Sequence, residues 1–189
     1  RNMKAEPDAA AVSVALLWNG SIVWKEAFGM ASVRDQRPAT LETRFNIGSV
    51  SKVLAGLAAV ILRDQRLLDL DRPVADYLPE FRMLSPEFRE ITSRHLLSHA
   101  SGLPGTNFRG IFTFTPYDRY AADTEAVFAH FHLKHRPGRM AVYCNDGFTL
   151  FERVVLAVTG MTYAEFVTRT ILEPLEMRHS GYLTEASAG

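Results

Sequence analysis

Residues 45–52 have the sequence Phe-Asn-Ile-Gly-Ser-Val-Ser-Lys, and an apolar run with helical spacing follows them. Ser49 and Lys52 are three residues apart at the start of this predicted helix, so their side chains share one helix face. A serine hydroxyl is a weak nucleophile until a neighbouring base takes its proton. An uncharged lysine one turn along can be that base, and the positive end of the helix dipole favours a developing anion. The spacing therefore brings a nucleophile and a candidate base to one helix end.

A Ser-x-x-Lys quartet also occurs by chance, and its ordinary alternative is an N-cap serine followed by a solvated lysine. Two further segments favour the catalytic interpretation. The first is PGRMAVYCN at residues 137–145, which contains Tyr143 and Asn145. The second is TSRHLLSHASGLP at residues 92–104.

With these segments the chain resembles the serine β-lactamase / penicillin-binding-protein superfamily, in particular the branch of class C β-lactamases, D-alanyl-D-alanine carboxypeptidases and related esterases. That branch pairs Ser-x-x-Lys with Tyr-x-Asn, here Ser49–Lys52 and Tyr143–Asn145. The stretches HLLSHASGLP and ILEPLEMRHSGY are similar to family landmarks with structural roles, and the resemblance covers residues 11–182. It implies an α+β, β-lactamase/transpeptidase-like fold, in which an antiparallel sheet is flanked by helices beside a mostly helical region.

The resemblance implies a role for each of four residues. Ser49 is expected to be the nucleophile that forms an acyl-enzyme with an ester, amide or β-lactam carbonyl. Lys52 and Tyr143 are expected to transfer the protons, and because the two groups titrate as one coupled unit, the sequence does not assign the proton to either. Asn145 is expected to orient Lys52 and to donate to a substrate amide. No cofactor and no metal is implied.

The substrate is expected to be a small-molecule or peptide carbonyl compound. Class C β-lactamases have a glutamine where a loose alignment gives this chain Thr106. We therefore favour an esterase or a D-Ala-D-Ala-type peptidase, with a class C-like β-lactamase as the alternative. A non-catalytic homologue that binds peptidoglycan or another ligand, or that regulates, is a rival from a different class.

One family feature is not identified in this sequence. The family's third motif, Lys-Thr-Gly or His-x-Gly, lies on a late β-strand that also supplies an oxyanion donor, and we do not identify it between Tyr143 and Gly189. We expect residues 1–189 to be a single, incomplete domain, the N-terminal part of a longer protein, and to be inactive alone. We also expect that the remaining strands lie beyond this chain, and a second polypeptide could carry them.

Composition excludes several classes of function. Hydrophobic residues make up 47% of the 189 residues, which is enough for a packed core. The 21 basic and 21 acidic residues balance, so no large field recruits nucleic acid or an anionic membrane. One cysteine, Cys144, excludes an internal disulfide, and no apolar stretch has the length of a membrane span. The chain opens Arg-Asn-Met-Lys, and the sequence does not assign a location. The protein is expected to be periplasmic or extracellular if a signal peptide has been removed, and cytoplasmic otherwise.

Local patterns predict one hairpin followed by helices. The hairpin joins two alternating apolar runs through Asn19-Gly20, a dipeptide that suits the positive φ angles of a tight turn. Residues 29–43 are predicted to be a polar connection. Helical spacing and capping signals predict four helices, over Ser51–Gln65, from Thr92 to near Gly102, over Asp146–Thr159, and from Thr162 to near Leu172. The first of these is apolar over a wide arc, so it is expected to be buried.

Acidic and histidine clusters leave a metal-site alternative open. Asp69 and Asp71 are interpreted as turn and helix-capping residues, since no calcium-loop pattern continues from them. His95 and His99 have the spacing of a metal pair, but no glutamate follows His95 as a zinc-protease helix requires, so packing is favoured. A third cluster, His130, His132 and His135, is interpreted as a solvated helix end.

Overall fold

The computed structural model describes residues 10–106, 117 and 119–182, and chain contacts divide the protein into two compact units, residues 1–47 and 48–189. The first unit is a small antiparallel sheet and the second is helical. The opening Arg1-Asn2-Met3-Lys4 singled out in the sequence lies outside the described residues.

The first unit contains the predicted hairpin. Strands β1 (Ala11–Trp18) and β2 (Ser21–Ser32) pair antiparallel, and the turn residues Asn19 and Gly20 have φ angles of 48° and 78°. The hairpin prediction is therefore confirmed. The polar connection predicted over residues 29–43 is wrong in part, because β2 runs on to Ser32 and a short β3 (Arg37–Pro38) pairs with it. Small side chains at the end of β2 carry too little alternation to signal a strand.

The second unit is built around one central helix, α5. The helices are α1 (Lys52–Asp64), α2 (Val74–Tyr77), α3 (Ser93–Leu97), α4 (Tyr120–Val127), α5 (Asp146–Thr159) and α6 (Tyr163–Val167). Helix α5 contacts α2, α3, α4 and α6, and its buried face includes Leu150, Phe151, Val154 and Val155. Its predicted bounds are confirmed, and Gly160 ends it in a left-handed conformation with φ of 71°.

Helix α1 lies within one residue of its predicted bounds at each end, but it is buried on one face only. Ala55, Ala58 and Leu62 are buried, whereas Val53 is 71% exposed. The prediction that the wide apolar arc of this helix is buried is therefore wrong in part, because Val53 lies on that arc. Periodicity shows where apolar side chains lie on a helix, but it does not show how much of that arc its neighbours cover.

Capping signals predicted two helix starts correctly and one helix end incorrectly. The Thr162 and Thr92 hydroxyls accept the N–H groups of Glu165 and His95, at 3.3 and 3.2 Å. The helix that Thr92 opens ends at Leu97, however, well before the predicted end near Gly102. It ends there because the chain turns through His99, which has a left-handed φ of 60°.

The acidic pair forms a turn, as predicted, but it does not cap a helix. The Asp69 side chain accepts the Asp71 N–H at 2.9 Å, and the Asp71 carboxylate receives two hydrogen bonds from Arg94, at 2.6 and 2.7 Å. Among residues 10–106, 117 and 119–182, no cluster of three or more His, Cys, Asp or Glu side chains is placed to hold a metal ion. In the same part of the chain, no helix has the length and apolar character needed to cross a membrane.

Candidate active site

Ser49 lies in a tight turn, Gly48–Ser51, immediately before α1, rather than within the helix. Gly48 has a positive φ of 50°, and the Ser51 hydroxyl donates to the Gly48 carbonyl at 2.6 Å, which holds the turn. Lys52 is the first residue of α1, and its Nζ lies 3.1 Å from Ser49 Oγ. The turn therefore keeps the predicted contact between the Ser49 and Lys52 side chains.

Tyr143 reaches the same hydroxyl from a loop 94 residues later in the chain. Its Oη lies 2.7 Å from Ser49 Oγ. The neighbouring Lys52 is the main cause that lowers the pKa of the Tyr143 phenol, and the hydrogen bond with Ser49 acts in the same direction. A tyrosine with a lowered pKa has more phenolate at neutral pH than an ordinary tyrosine, and the phenolate is the form that can accept a proton from serine.

Asn145 connects the lysine to a residue that the sequence analysis did not assign to the site. Its Oδ1 accepts a hydrogen bond from Lys52 Nζ at 2.8 Å, and its Nδ2 donates to Thr106 Oγ1 at 3.2 Å. The Asn145 backbone N–H points to the same hydroxyl, at 3.4 Å. Because an amide group has two N–H donors, this arrangement engages one of them. The Asn145 side chain thus accepts a hydrogen bond from the lysine and makes no capping hydrogen bond to α5.

Two aromatic rings lie beside the Lys52 ammonium. Its Nζ is 5.1 Å from the ring centre of Tyr143 and 5.0 Å from that of Phe148, distances typical of cation–π contacts. A cleft of about 440 Å³ adjoins this point, and its lining includes Lys52, Asn145, Phe148 and Tyr163. Ser49 does not line this cleft, although its neighbour Lys52 does, so the cleft lies beside Ser49 and not over it.

Cys144 lies between Tyr143 and Asn145 and is buried. Its thiol donates to the Gly105 carbonyl at 3.2 Å, and burial raises the pKa of this thiol. A buried thiol with a raised pKa is a poor nucleophile. The Cys144 backbone N–H donates to His99 Nδ1 at 3.1 Å.

The expectation that the chain has no His-x-Gly triplet between Tyr143 and Gly189 is wrong, because residues 179–181 have this pattern. His179-Ser180-Gly181 lies in a turn and irregular segment after α6, outside any strand of the described residues. The family's third motif is expected on a strand, so this triplet does not match it.

The structure brings all four predicted site residues together, and it adds Thr106, Phe148 and His99. The sequence weighed Thr106 only as a departure from the class C pattern and interpreted His99 only as a packing residue. Their contacts join segments 39 and 45 residues apart, and no local pattern indicates them. The family stretch that contains His99 was the one signal that could have directed attention to it.

Comparison with known proteins finds relatives that match most of this chain. Protein flp of Staphylococcus aureus is 27% identical over 171 residues, which are 90% of this chain and 34% of that protein. Penicillin-binding protein 4* of Bacillus subtilis is 27% identical over 167 residues, 85% of this chain and 35% of that protein. The chain thus spans about a third of the length of these curated relatives.

A solved structure and a family model complete the comparison. A class C β-lactamase in complex with cefoxitin superposes with a TM-score of 0.80 at 26% identity, over 97% of this chain and 49% of that one. The predicted β-lactamase/transpeptidase-like fold is therefore confirmed. The family model described as Beta-lactamase matches residues 1–188. Since that match covers nearly every residue, the chain belongs to the Beta-lactamase family.

Proposed function

We propose that the intact protein is a serine hydrolase that forms an acyl-enzyme on Ser49 with ester, amide or β-lactam carbonyls. The observation that carries this proposal is the position of Ser49 Oγ, which lies 2.7 Å from Tyr143 Oη and 3.1 Å from Lys52 Nζ. A nucleophile within hydrogen-bond distance of its base is the arrangement that covalent catalysis requires.

The proposed reaction has two stages. Ser49 Oγ bonds to the carbonyl carbon while its proton passes to the Lys52–Tyr143 pair, and that proton then goes to the leaving group as the C–O or C–N bond breaks. Water repeats the sequence on the acyl-enzyme and releases the acid. Asn145 holds Lys52 through Oδ1, and the Ser49 backbone N–H is assigned as one donor to the oxyanion.

We propose esters or D-Ala-D-Ala-type peptides as the substrates. Thr106 supports this choice, because it stands where class C β-lactamases have a glutamine and its hydroxyl accepts hydrogen bonds from Asn145. The likeness to a class C enzyme with bound cefoxitin supports β-lactam acylation as a second activity.

We also propose that residues 1–189 belong to a single domain. One family model matches residues 1–188, which supports the prediction that both units belong to one domain. The predicted second polypeptide finds no support among these relatives.

Labelling of the intact protein with a fluorophosphonate, followed by mass spectrometry, tests the acyl-enzyme. We expect one adduct, on Ser49, which is lost in Ser49→Ala and kept in Ser98→Ala, an exposed serine at the end of α3. Labelling of Ser49→Ala at the wild-type rate would refute the assignment, and no labelling of the wild type would favour the non-catalytic binder. Release of a fluorescent penicillin after labelling identifies β-lactam hydrolysis, whereas retention identifies acylation only.

A further inference from the structure

His99 contacts Tyr143 through its ring and holds the backbone on both sides of it. The two ring centres are 4.4 Å apart with an interplanar angle of 32°. The His99 carbonyl accepts the Val142 N–H at 2.9 Å, and His99 Nδ1 accepts the Cys144 N–H at 3.1 Å. One residue therefore anchors the residue before Tyr143 and the residue after it.

These contacts require a particular protonation state of the His99 ring. A backbone N–H can only donate, so Nδ1 must be an acceptor, and the ring must be neutral with its proton on Nε2. Burial lowers the pKa of His99; the backbone hydrogen bond with Cys144 acts in the opposite direction, and the Lys52 ammonium lowers the pKa further, so that the net shift is downward. Protonation would remove the bond to Cys144 and add a second positive charge near Lys52.

The groups packed around the ring come from three elements. The loop before α5 contributes Tyr143 and Cys144, α5 contributes the uncharged Phe148 with ring centres 5.2 Å apart, and α1 contributes Lys52. No carboxylate appears among the groups that act on the pKa of His99. These surroundings therefore favour the neutral ring.

The backbone at His99 explains how one residue holds both sides of Tyr143. Its φ of 60° lies in the left-handed region, where histidine, asparagine and aspartate occur more often than other non-glycine residues. This conformation ends α3 and turns both the carbonyl and the ring toward the loop that carries Tyr143.

We propose that His99 is a positioning residue for Tyr143: in its neutral form it fixes the backbone on both sides of the phenol and keeps Tyr143 Oη within reach of Ser49 Oγ. The inference rests on the proposed function, because it assigns His99 a part in Ser49 acylation. A residue that only packs against Tyr143 would need neither the acceptor atom Nδ1 nor a neutral ring, whereas the positioning role of His99 requires both.

Three variants of the intact protein separate these roles. His99→Asn keeps a side-chain acceptor near the position of Nδ1 and suits a positive φ, but it cannot be protonated near neutral pH. His99→Leu has nearly the shape of the asparagine without the acceptor, and it tolerates a positive φ less well. His95→Asn is the matched control, because His95 Nδ1 also accepts a backbone N–H, that of Thr92 at 3.3 Å, at the start of α3.

The rate of Ser49 labelling is measured against pH for each variant. At neutral pH we expect His99→Leu to label about tenfold more slowly than His99→Asn, since a buried N–H is left without an acceptor. When the pH falls far enough to protonate His99, the labelling rates of the wild type and of His95→Asn should fall, whereas His99→Asn should show no such decrease. Equal rates for the leucine and asparagine variants, or the same decrease at acid pH in His99→Asn, would overturn the inference. If His99→Leu does not fold, as judged by circular dichroism, the inference is still tested by comparing the loss of labelling rate at acid pH in the wild type and in His99→Asn.

A measurement independent of activity separates this inference from the proposed function. We expect ¹⁵N NMR shifts of the His99 ring in the intact protein at neutral pH to show a proton on Nε2 and an unprotonated Nδ1. A protonated Nδ1 would refute the positioning role even if Ser49 is the labelled residue. The ring measurement also stands if Ser49→Ala is labelled normally and the proposed function fails.

Discussion

Replacing Thr106 with valine tests how Asn145 holds the lysine. The Thr106 hydroxyl accepts from Asn145 Nδ2 at 3.2 Å and from the Asn145 N–H at 3.4 Å, so valine removes the shared acceptor of two donors. A buried donor without a partner costs about 1–3 kcal/mol. Asn145 is half-buried, so water replaces part of the loss, and we take the lower part of that range, about 1.4 kcal/mol in total. This corresponds to about tenfold in rate.

The assay is the rate of Ser49 labelling by a fluorophosphonate in the intact protein, with thermal unfolding measured in parallel. Thr106→Val should label about tenfold more slowly than the wild type, because an unanchored amide no longer keeps Oδ1 toward Lys52. Thr106→Ser keeps the hydroxyl and should stay within about twofold of the wild type, well below the effect of an unpaired donor. Equal rates for the valine and serine variants would show that Thr106 does not orient Asn145.

Two further predictions concern proton transfer and the core. Because Lys52 lowers the pKa of the Tyr143 phenol, the phenolate that accepts the proton is populated at pH values below the ordinary tyrosine pKa of 10.0. The rate of Ser49 labelling should therefore rise with pH along a limb whose midpoint lies below that value. Tyr143→Phe should lose this limb, and an unchanged limb in that variant would contradict the assignment. In the core, Val154→Ala on α5 should lower the free energy of unfolding by about 2 kcal/mol, since Val154 is fully buried. The same change at Val53, which is 71% exposed, should stay within about 0.5 kcal/mol, and equal losses in chemical denaturation would refute this account of the core.

Local signals predicted most of the fold, because the residues that form each signal are neighbours in the chain. Asn19-Gly20 marked the hairpin turn, Gly160 marked the end of α5, and Thr162 with Glu165 marked the start of α6. The left-handed turn at His99 had no such marker, since no glycine or asparagine stands at that position and the sequence analysis interpreted His99 only as a packing residue. The end of α3 was therefore placed too late.

Two short motifs predicted four of the residues that meet at the candidate site. Ser49–Lys52 and Tyr143–Asn145 are spaced by helix and loop geometry, so their residue types can be recognised in one dimension. Thr106 acts on Asn145 from 39 residues away, through a contact that depends on the path of two loops. Helical periodicity likewise marked α1 as apolar but carried no information about which neighbours cover it, as the exposure of Val53 shows.

The sequence distance between Ser49 and Tyr143 has a consequence for folding during synthesis. The two residues are 94 positions apart in the chain, so about 5 to 20 s of synthesis pass between the addition of Ser49 and the addition of Tyr143. Throughout that interval the nascent chain carries Ser49 and Lys52 without the partner that completes their contact. Reactivity at Ser49 on stalled ribosomes of increasing chain length would therefore report when the helical unit closes around α5.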